Sequence, residues 1–129
     1  MTRTVAEEAV SFAVFEEISS SLQRYIDGAK AGNAALIGSV FCPDACIQGA
    51  YSGQPVNWNL EEFCAVIAKG GPAPELAAKI VAIDAAGPVG TARLEILNWR
   101  GTRYTDFFVL CNNGGWHIAS KVFFAHSRA

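Results

Sequence analysis

The first half of the chain carries apolar residues at the three- and four-residue steps of amphipathic helices. A capping box over Thr4-Val5-Ala6-Glu7 predicts the start of one long helix, and Gly28 and Gly32 predict its end. Asn33 predicts the cap of a short second helix that stops at Pro43. The stripe of the long helix consists of Ala9, Phe12, Phe15, Ile18, Leu22, Tyr25 and Ile26.

A third helix is predicted after a short strand and turn. Residues Cys46 to Tyr51 have the composition of a strand, and Ser52-Gly53-Gln54-Pro55 predicts a turn. Asn59, with Glu62 three residues later, predicts the cap of the third helix. The segment Lys69-Gly70-Gly71-Pro72 closes that helix with a cation, a glycine cap and a proline stop.

The second half changes to alternating strands and turns. Turn signals at Gly87-Pro88, Gly101 and Asn113-Gly114 separate strands predicted at about 76–86, 89–99, 103–112 and 116–126. Helices followed by a strand meander indicate an α+β fold, with three N-terminal helices packed on one face of an antiparallel sheet. The length of 129 residues predicts a single domain over residues 1–129.

The turns also predict which side chains face one another across the sheet. A two-residue turn at Asn113-Gly114 pairs Asp106 with Lys121, and a turn at Arg100-Gly101 pairs Glu95 with Asp106. One face then carries Arg93, Glu95, Leu97, Trp99, Tyr104, Asp106, Phe108, Leu110, Lys121 and Phe123. The other face carries Leu94, Ile96, Phe107, Val109, Ile118, Val122 and Phe124.

Each face invites an interpretation. The charges among apolar neighbours are either a structural ion-pair network or a polar patch inside a pocket. In that arrangement Glu95 raises the pKa of Asp106 and Lys121 opposes the rise. The second face is almost purely hydrocarbon, so we expect it to form a homodimer interface. Trp116, paired with Cys111 on that apolar face, is expected to be structural.

The composition of the chain indicates a buried apolar surface and argues against several classes of partner. Apolar types make up 51% of the chain and charged types 17%, against about 25% charged in an average domain. We therefore expect an apolar pocket, a buried interface or both. The net charge of −2 argues against a nucleic-acid partner. No apolar run reaches the length of a membrane span, and early acids such as Glu7 and Glu8 argue against a signal peptide. We expect a cytoplasmic protein without a membrane partner.

No metal or cofactor is predicted. Cys42-Pro-Asp-Ala-Cys46 is the only close cysteine pair, and no histidine cluster completes a zinc site around it. The chain has no GxSxG nucleophile elbow and no P-loop, and Asn112-Asn-Gly-Gly115 is interpreted as a hairpin turn.

Three short motifs, in order, resemble the nuclear transport factor 2-like (SnoaL-like) superfamily. They are Tyr25-Ile-Asp-Gly-Ala-Lys-Ala-Gly-Asn33, Phe41-Cys-Pro-Asp-Ala-Cys-Ile47 and Gly114-Gly-Trp-His-Ile118. The strands Tyr104–Leu110 and Trp116–Phe123 are similar to the branch called "putative lumazine-binding". The resemblance implies a cone-shaped fold, which hosts isomerases, cyclases, dehydratases, transport factors and binding modules.

The ketosteroid isomerases of this superfamily permit a comparison of individual positions. They use a helix tyrosine and a strand carboxylic acid as oxyanion donors, and Tyr25 and Asp106 stand at the matching places. Their general base follows the strand-entry aspartate, here Asp44, by five residues, and that position is Gly49. The base is missing, so we exclude ketosteroid isomerase chemistry. We expect Gly49 to leave room in the cone.

Two functions from different classes remain, with a third behind them. The first is a small-molecule-binding domain with an apolar or aromatic ligand and no assigned reaction. The second is a cofactor-free isomerase, cyclase or dehydratase in which Asp106 is the acid or base, Lys121 tunes it, and Tyr25 stabilises an oxyanion. The third is an interaction module with a filled cone. The predicted ligand-binding residues are Tyr25, Tyr51, Trp58, Glu95, Trp99, Tyr104, Asp106 and Lys121.

Overall fold

The computed structural model describes residues 10–126, which form three helices and a six-stranded sheet. Helix α1 spans Phe12–Ala31, helix α2 spans Ala34–Val40, and helix α3 spans Leu60–Gly70. The strands are β1 Phe41–Tyr51, β2 Gln54–Asn59, β3 Ala77–Ala86, β4 Val89–Trp99, β5 Thr102–Asn112 and β6 Trp116–Ala125. This α+β arrangement is the predicted fold class.

The caps of the helices explain their ends. Ser11 caps α1 by accepting a hydrogen bond from the Val14 amide, and Gly32 ends the helix with a left-handed φ of 66°. The predicted capping box at Thr4–Glu7 lies outside the described residues. The capping box of Asn59 and Glu62 at the start of α3 is confirmed, with both reciprocal hydrogen bonds present.

The apolar stripe of α1 enters the core only from its second turn onward. Ile18, Leu22 and Tyr25 are fully buried, whereas Phe12 and Phe15 are 82% and 42% exposed. The stripe therefore begins before the helix reaches the core, and in the first turn only Val14 packs against it.

Strand β2 was not predicted, and β1 is longer than expected. The turn after Tyr51 is tight, and the chain resumes pairing at Gln54. Pro55 is accommodated because β2 is an edge strand, where a missing backbone donor is tolerated. Pro43 lies in β1 within the stretch where the pairing register with β6 shifts.

The strand order is β2-β1-β6-β5-β4-β3. Every neighbouring pair is antiparallel except β1 and β6, which run parallel. The sheet is therefore mixed, which corrects the expectation of a purely antiparallel one. The four C-terminal strands form the predicted meander, and β6 joins that meander to β1.

The register predicted for β4 and β5 is wrong beyond the turn. Trp99 faces Thr102 as expected, but an irregularity between Ile96 and Trp99 then shifts the pairing by one residue. Asn98 adopts a left-handed φ of 58° there, and its side chain accepts a hydrogen bond from the Gly101 amide. Since a one-residue slip exchanges the two faces, the shift turns Glu95 to the opposite face from Asp106.

The register of β5 and β6 differs by two residues, which preserves the faces. Asp106 is opposite Phe123, and Lys121 is opposite Phe108. The turn is one residue longer than predicted, with Asn112 facing Trp116, and a bulge near Val109 adds the second step. Asp106 and Lys121 therefore share the inner face as diagonal neighbours instead of direct ones.

The helices cover the inner face of the sheet. Leu94, Ile96 and Ile118, expected on the exposed face, are instead buried in the core. The outer face carries apolar side chains that are about half exposed: Phe107, Val109, Val122 and Phe124. Among the described helices, none combines the length and apolar composition that crossing a membrane requires.

Candidate functional site

A pocket of about 470 Å³ opens between α3, the β1–β2 hairpin and the inner face of the sheet. Its walls are mainly aromatic, because β1, β2, α3 and the strands from β4 to β6 each contribute a ring. The aromatic wall residues are Tyr51, Trp58, Phe63, Trp99, Tyr104 and Phe123. An aromatic pocket of this size is typical of a small-molecule site.

The aromatic walls are ordered by ring contacts. Trp58 stacks on both Phe63 and Phe123, with ring centroids 6.0 Å apart in each case. Across the pocket, Tyr104 stacks on Tyr51 at 6.4 Å and meets Trp99 edge to face at 5.7 Å. These contacts hold the rings against one another, so that the walls of the pocket present flat apolar surfaces.

Lys121 supplies a polar group at the floor of this pocket. Its side chain is 4% exposed. Its ammonium lies 4.4 Å from the ring centre of Phe63, 5.0 Å from that of Phe123 and 5.6 Å from that of Trp99. The Nζ atom donates a hydrogen bond of 2.7 Å to the Tyr25 hydroxyl. The rings stabilise the cation that water no longer solvates.

Asp106 lies behind Lys121, away from the pocket surface. Its side chain is fully buried, and its Oδ2 atom is 3.9 Å from Lys121 Nζ. Neither carboxylate oxygen accepts a hydrogen bond from any described residue. A buried carboxylate in this state is costly, because its lone pairs have lost water and found only a distant cation.

Burial shifts the pKa of every group in this cluster. It raises the pKa of Asp106 to about 6, although the Lys121 charge opposes the rise. It lowers the pKa of Lys121, and the Asp106 charge opposes that change. Burial also raises the pKa of Tyr25, with Asp106 adding to the effect. Such mutually perturbed groups are frequent at functional sites.

The structure gathers most of the predicted ligand-binding residues around this pocket. Tyr51, Trp58, Trp99, Tyr104 and Lys121 line it. Tyr25 and Asp106 are fully buried and contact Lys121 from behind. The catalytic role proposed for Asp106, Tyr25 and Lys121 stays a prediction.

Glu95 is separated from the cluster by the sheet itself. On the outer face its carboxylate accepts hydrogen bonds from Arg93, Arg103 and Thr105, and Thr105 also contacts His126. The predicted pairing of Glu95 with Asp106 is wrong because of the bulge in β4, but the predicted charge effect is present, since burial raises the pKa of Asp106 and Glu95 adds to this rise from across the sheet. These hydrogen bonds lower the pKa of Glu95 against the opposing effect of burial.

Nine of the fourteen described lining residues were missed from the sequence, among them Phe63, Arg100 and Phe123. Phe63 contributes to the wall from α3, where its place on the apolar helix stripe indicated only a core role. Arg100 stands at the β4–β5 turn and brings a charge to the pocket. The expectation that Gly49 leaves room is wrong, because Phe123 occupies that space: a Cβ there would lie 2.4 Å from its carbonyl oxygen.

Across residues 10–126, no cluster of three or more histidine, cysteine, aspartate or glutamate side chains is arranged to hold a metal ion. The cysteines in this part of the chain are all free thiols. The polar groups at the pocket and behind it are the Lys121 amine, the Asp106 carboxyl group, the Arg100 guanidinium, the Thr102 hydroxyl and the phenols of Tyr25, Tyr51 and Tyr104.

Comparison of the sequence with protein families gives a match over residues 13–124 to the family described as "Putative lumazine-binding". The chain belongs to this family. A search of curated proteins finds no match.

The structure of this family member is similar to solved structures of bacterial nuclear transport factor 2-like proteins of unknown function. One, from Methylobacillus flagellatus, shares 29% identity with a TM-score of 0.87, covering 92% of this chain and 96% of that one. Another, from Shewanella baltica, shares 27% identity with a TM-score of 0.83, covering 98% and 99%. These similarities support the nuclear transport factor 2-like fold predicted from the motifs.

A more distant similarity bears on the fold alone. A ketosteroid isomerase-like protein from Erwinia carotovora atroseptica shares 14% identity with a TM-score of 0.68, covering 87% of this chain and 95% of that one.

Proposed function

We propose that this protein binds a planar aromatic small molecule that carries a hydrogen-bond acceptor or a negative charge. The ring system would lie between the aromatic walls, and the acceptor would meet Lys121 at the floor. One observation carries the proposal: a buried lysine amine closes an aromatic pocket of about 470 Å³.

The hydrogen-bonding capacity of Lys121 supports the polar part of this proposal. An ammonium has three donors, and within residues 10–126 it makes one hydrogen bond, to Tyr25. A ligand oxygen that accepts a further hydrogen bond would lie in a site from which water is largely excluded. Charge-assisted hydrogen bonds are among the stronger ones in proteins.

The aromatic part is supported by the stacked geometry of the walls. Trp58 and Phe123 stack on each other with an interplanar angle of 17°, so together they give one wall a flat apolar surface against which a planar ring could pack. Lumazine, named in the family's description, is a two-ring heteroaromatic compound with carbonyl acceptors. It therefore has both features that the pocket would recognise, and it serves as a first probe.

Calorimetric titration with lumazine tests this proposal. We expect saturable binding to the wild type, weakened about tenfold or more in Lys121→Met, which keeps the apolar stem but loses the donors. Lys79→Met, at an exposed strand position, is the matched control and should bind as the wild type does. Native mass spectrometry of freshly purified protein identifies any other small molecule that the pocket retains. No saturation by lumazine and no retained molecule would contradict the proposal.

The buried carboxyl group favours a second candidate function. A cofactor-free isomerase, cyclase or dehydratase needs a proton carrier that titrates near the working pH, and burial raises the pKa of Asp106 to about 6. Deuterium exchange at the acidic C–H of a bound enolisable ketone tests this reading. Exchange that disappears in Asp106→Asn supports an enzyme, and no exchange in the wild type supports a binding domain.

A further inference from the structure

We propose that Lys121 forms a reversible covalent imine with an aromatic aldehyde or ketone held in the pocket. This inference rests on the proposed function, because the carbonyl compound would bind in the same aromatic pocket. The inference adds a reaction to the binding function, because the carbonyl group that approaches the amine is also an electrophile that the amine can attack.

The position of Lys121 distinguishes it from the other lysines. Lys30, Lys69 and Lys79 are exposed, whereas Lys121 is 3% exposed and lines the pocket. An exposed lysine at neutral pH is almost entirely an ammonium ion and does not attack carbon. Desolvation in an apolar pocket is one of the ways in which proteins activate a lysine as a nucleophile.

The burial of Lys121 lowers its pKa, while the facing Asp106 carboxylate partly counteracts this. Each unit by which the pKa falls raises the neutral fraction of the amine about tenfold at a pH below the pKa. The aromatic rings favour the cation, so the neutral amine is a minority species that reacts as it forms.

Asp106 and Tyr25 provide what the proton transfers need. The carboxylate lies 3.9 Å from Nζ, neither of its oxygens accepts a hydrogen bond from the described part of the chain, and the Tyr25 hydroxyl accepts a hydrogen bond of 2.7 Å from Nζ. Tyr25 fixes the direction of the amine, and Asp106 is placed to accept its proton. This accounts for a carboxyl group left without hydrogen bonds in the core.

The reaction balances without an oxidant or reductant. Asp106 takes a proton from the ammonium, and the neutral amine attacks the carbonyl carbon. The new C–N bond forms as the π electrons move to oxygen, and the alkoxide takes a proton from the attached nitrogen through a solvent water to give a carbinolamine. Asp106 returns its proton to the nitrogen, which passes a proton through the same water to the hydroxyl group. The hydroxyl group then leaves as water with the C–O bonding electrons. The product is a protonated imine at Lys121, and water reverses each step.

Reductive trapping tests the proposal on the intact protein. We would incubate it with 4-hydroxybenzaldehyde and sodium cyanoborohydride at neutral pH and map the adducts by peptide mass spectrometry. We expect Lys121 to be labelled roughly tenfold faster than Lys79, because the pocket holds the aldehyde beside its desolvated amine. Lys121→Arg should lose the fast adduct, and the control Lys79→Arg should keep it.

A second titration separates the covalent step from binding. 4-Hydroxybenzyl alcohol has the same ring and no carbonyl group. If the alcohol binds but Lys121 is labelled no faster than Lys79, the imine proposal is overturned and the binding function stands. If neither compound nor lumazine binds and Lys121 is not labelled, both proposals fall. Because the wild-type peptide map alone compares the two lysines, the result does not depend on any variant folding.

Discussion

Lys121 and Asp106 carry opposite charges and are both buried, but their surroundings do not stabilise the two charges equally. The ammonium faces the rings of Phe63, Phe123 and Trp99 and donates to Tyr25, whereas the carboxylate has no hydrogen bond from a described residue. The cation is therefore better stabilised than the anion. As the pH falls from neutral, Asp106 should be the first member of the cluster to change its protonation state.

This asymmetry predicts a pH dependence of stability. Because the folded-state pKa of Asp106, about 6, exceeds its usual value of 3.8, its stabilising contribution is complete below pH 3.8. That contribution is lost as the pH rises through 6. In urea unfolding, Asp106→Asn should therefore gain stability relative to the wild type between pH 4 and 7, on the order of 2–3 kcal/mol. The exposed control Asp44→Asn should track the wild type. Parallel profiles for Asp106→Asn would show that this carboxyl group titrates normally.

A double-mutant cycle tests whether the two charges interact. Removing one leaves the other buried without its counter-charge, so Asp106→Leu and Lys121→Leu should each lower the free energy of unfolding by as much as ~3–5 kcal/mol. The double variant should recover most of the loss, because leucines suit the aromatic surroundings. Thermal melts of all four proteins give the coupling, and strict additivity would show that the pair does not interact. A stable double variant that still bound lumazine would remove both residues from the binding site.

At the scale of elements, the sequence predicted which segments are strands better than how the strands are aligned. The bulge at Asn98 reverses the faces of β4 relative to β5, and no turn motif marks it, since its hydrogen bond to Gly101 forms only within the hairpin. Between β5 and β6, the longer turn and the bulge each move the pairing by one residue. The total shift is two residues, which keeps Asp106 and Lys121 on the same face. The site was thus partly predictable. The alternation of side chains between the two faces was predicted correctly for β5 and β6, whereas the residue-by-residue pairing of the strands was not.

The parallel pairing of β1 and β6 has a tight point at Gly49. It lies opposite Phe123, whose backbone oxygen would be 2.4 Å from an added Cβ. Gly49→Ala should therefore lower stability by roughly 1–3 kcal/mol. It should also weaken lumazine binding, because Phe123 lines the pocket. Gly38→Ala in α2, with its nearest neighbour at 3.4 Å, is the control and should be neutral or stabilising. Equal melting temperatures for Gly49→Ala and the wild type would show that the strands separate without cost.

Trp116 joins α1 to the start of β6. It is 4% exposed, its indole donates a 3.0 Å hydrogen bond to Glu17, and its carbonyl accepts one from Ser21. It faces Asn112 instead of the predicted Cys111, and it packs in the core. Trp116→Ala should cost roughly 3–5 kcal/mol, measured by urea unfolding, and Trp116→Phe clearly less. Unchanged unfolding of the alanine variant would show that the indole carries no packing energy.

At the scale of the whole molecule, the outer face of the sheet is left uncovered by the helices. Phe107, Val109, Val122 and Phe124 are between 47% and 53% exposed there. We propose, as the sequence predicted, that a second copy covers this face in a homodimer, since patches of this kind are seldom left in water. Three residues first assigned to the interface belong to the core, so the interface is smaller than the sequence predicted.

Analytical ultracentrifugation tests the dimer. At micromolar concentration we expect the wild type to sediment as a dimer and Val122→Asp, with a charge at the centre of the face, as a monomer. Val81→Asp is the control, because Val81 is equally exposed but lies on the edge strand β3. A wild type found only as a 13.7 kDa species would contradict the proposal. A cytoplasmic location likewise stays a prediction, which cell fractionation tests.

The place of β6 between β1 and β5 has a consequence for how the chain folds. The N-terminal helices with β1 and β2 form one set of local contacts, and β3 to β5 form another; within the sheet only β6 joins them, while α1 also packs against β3. Its pairing with β1 closes a loop of most of the chain, which is entropically expensive and slows folding. During synthesis both sets must wait with open edges until β6 leaves the ribosome. Because Lys121 and Phe123 lie on β6, the ligand should bind only after β6 has paired with its neighbours. It should therefore not accelerate any earlier step of folding.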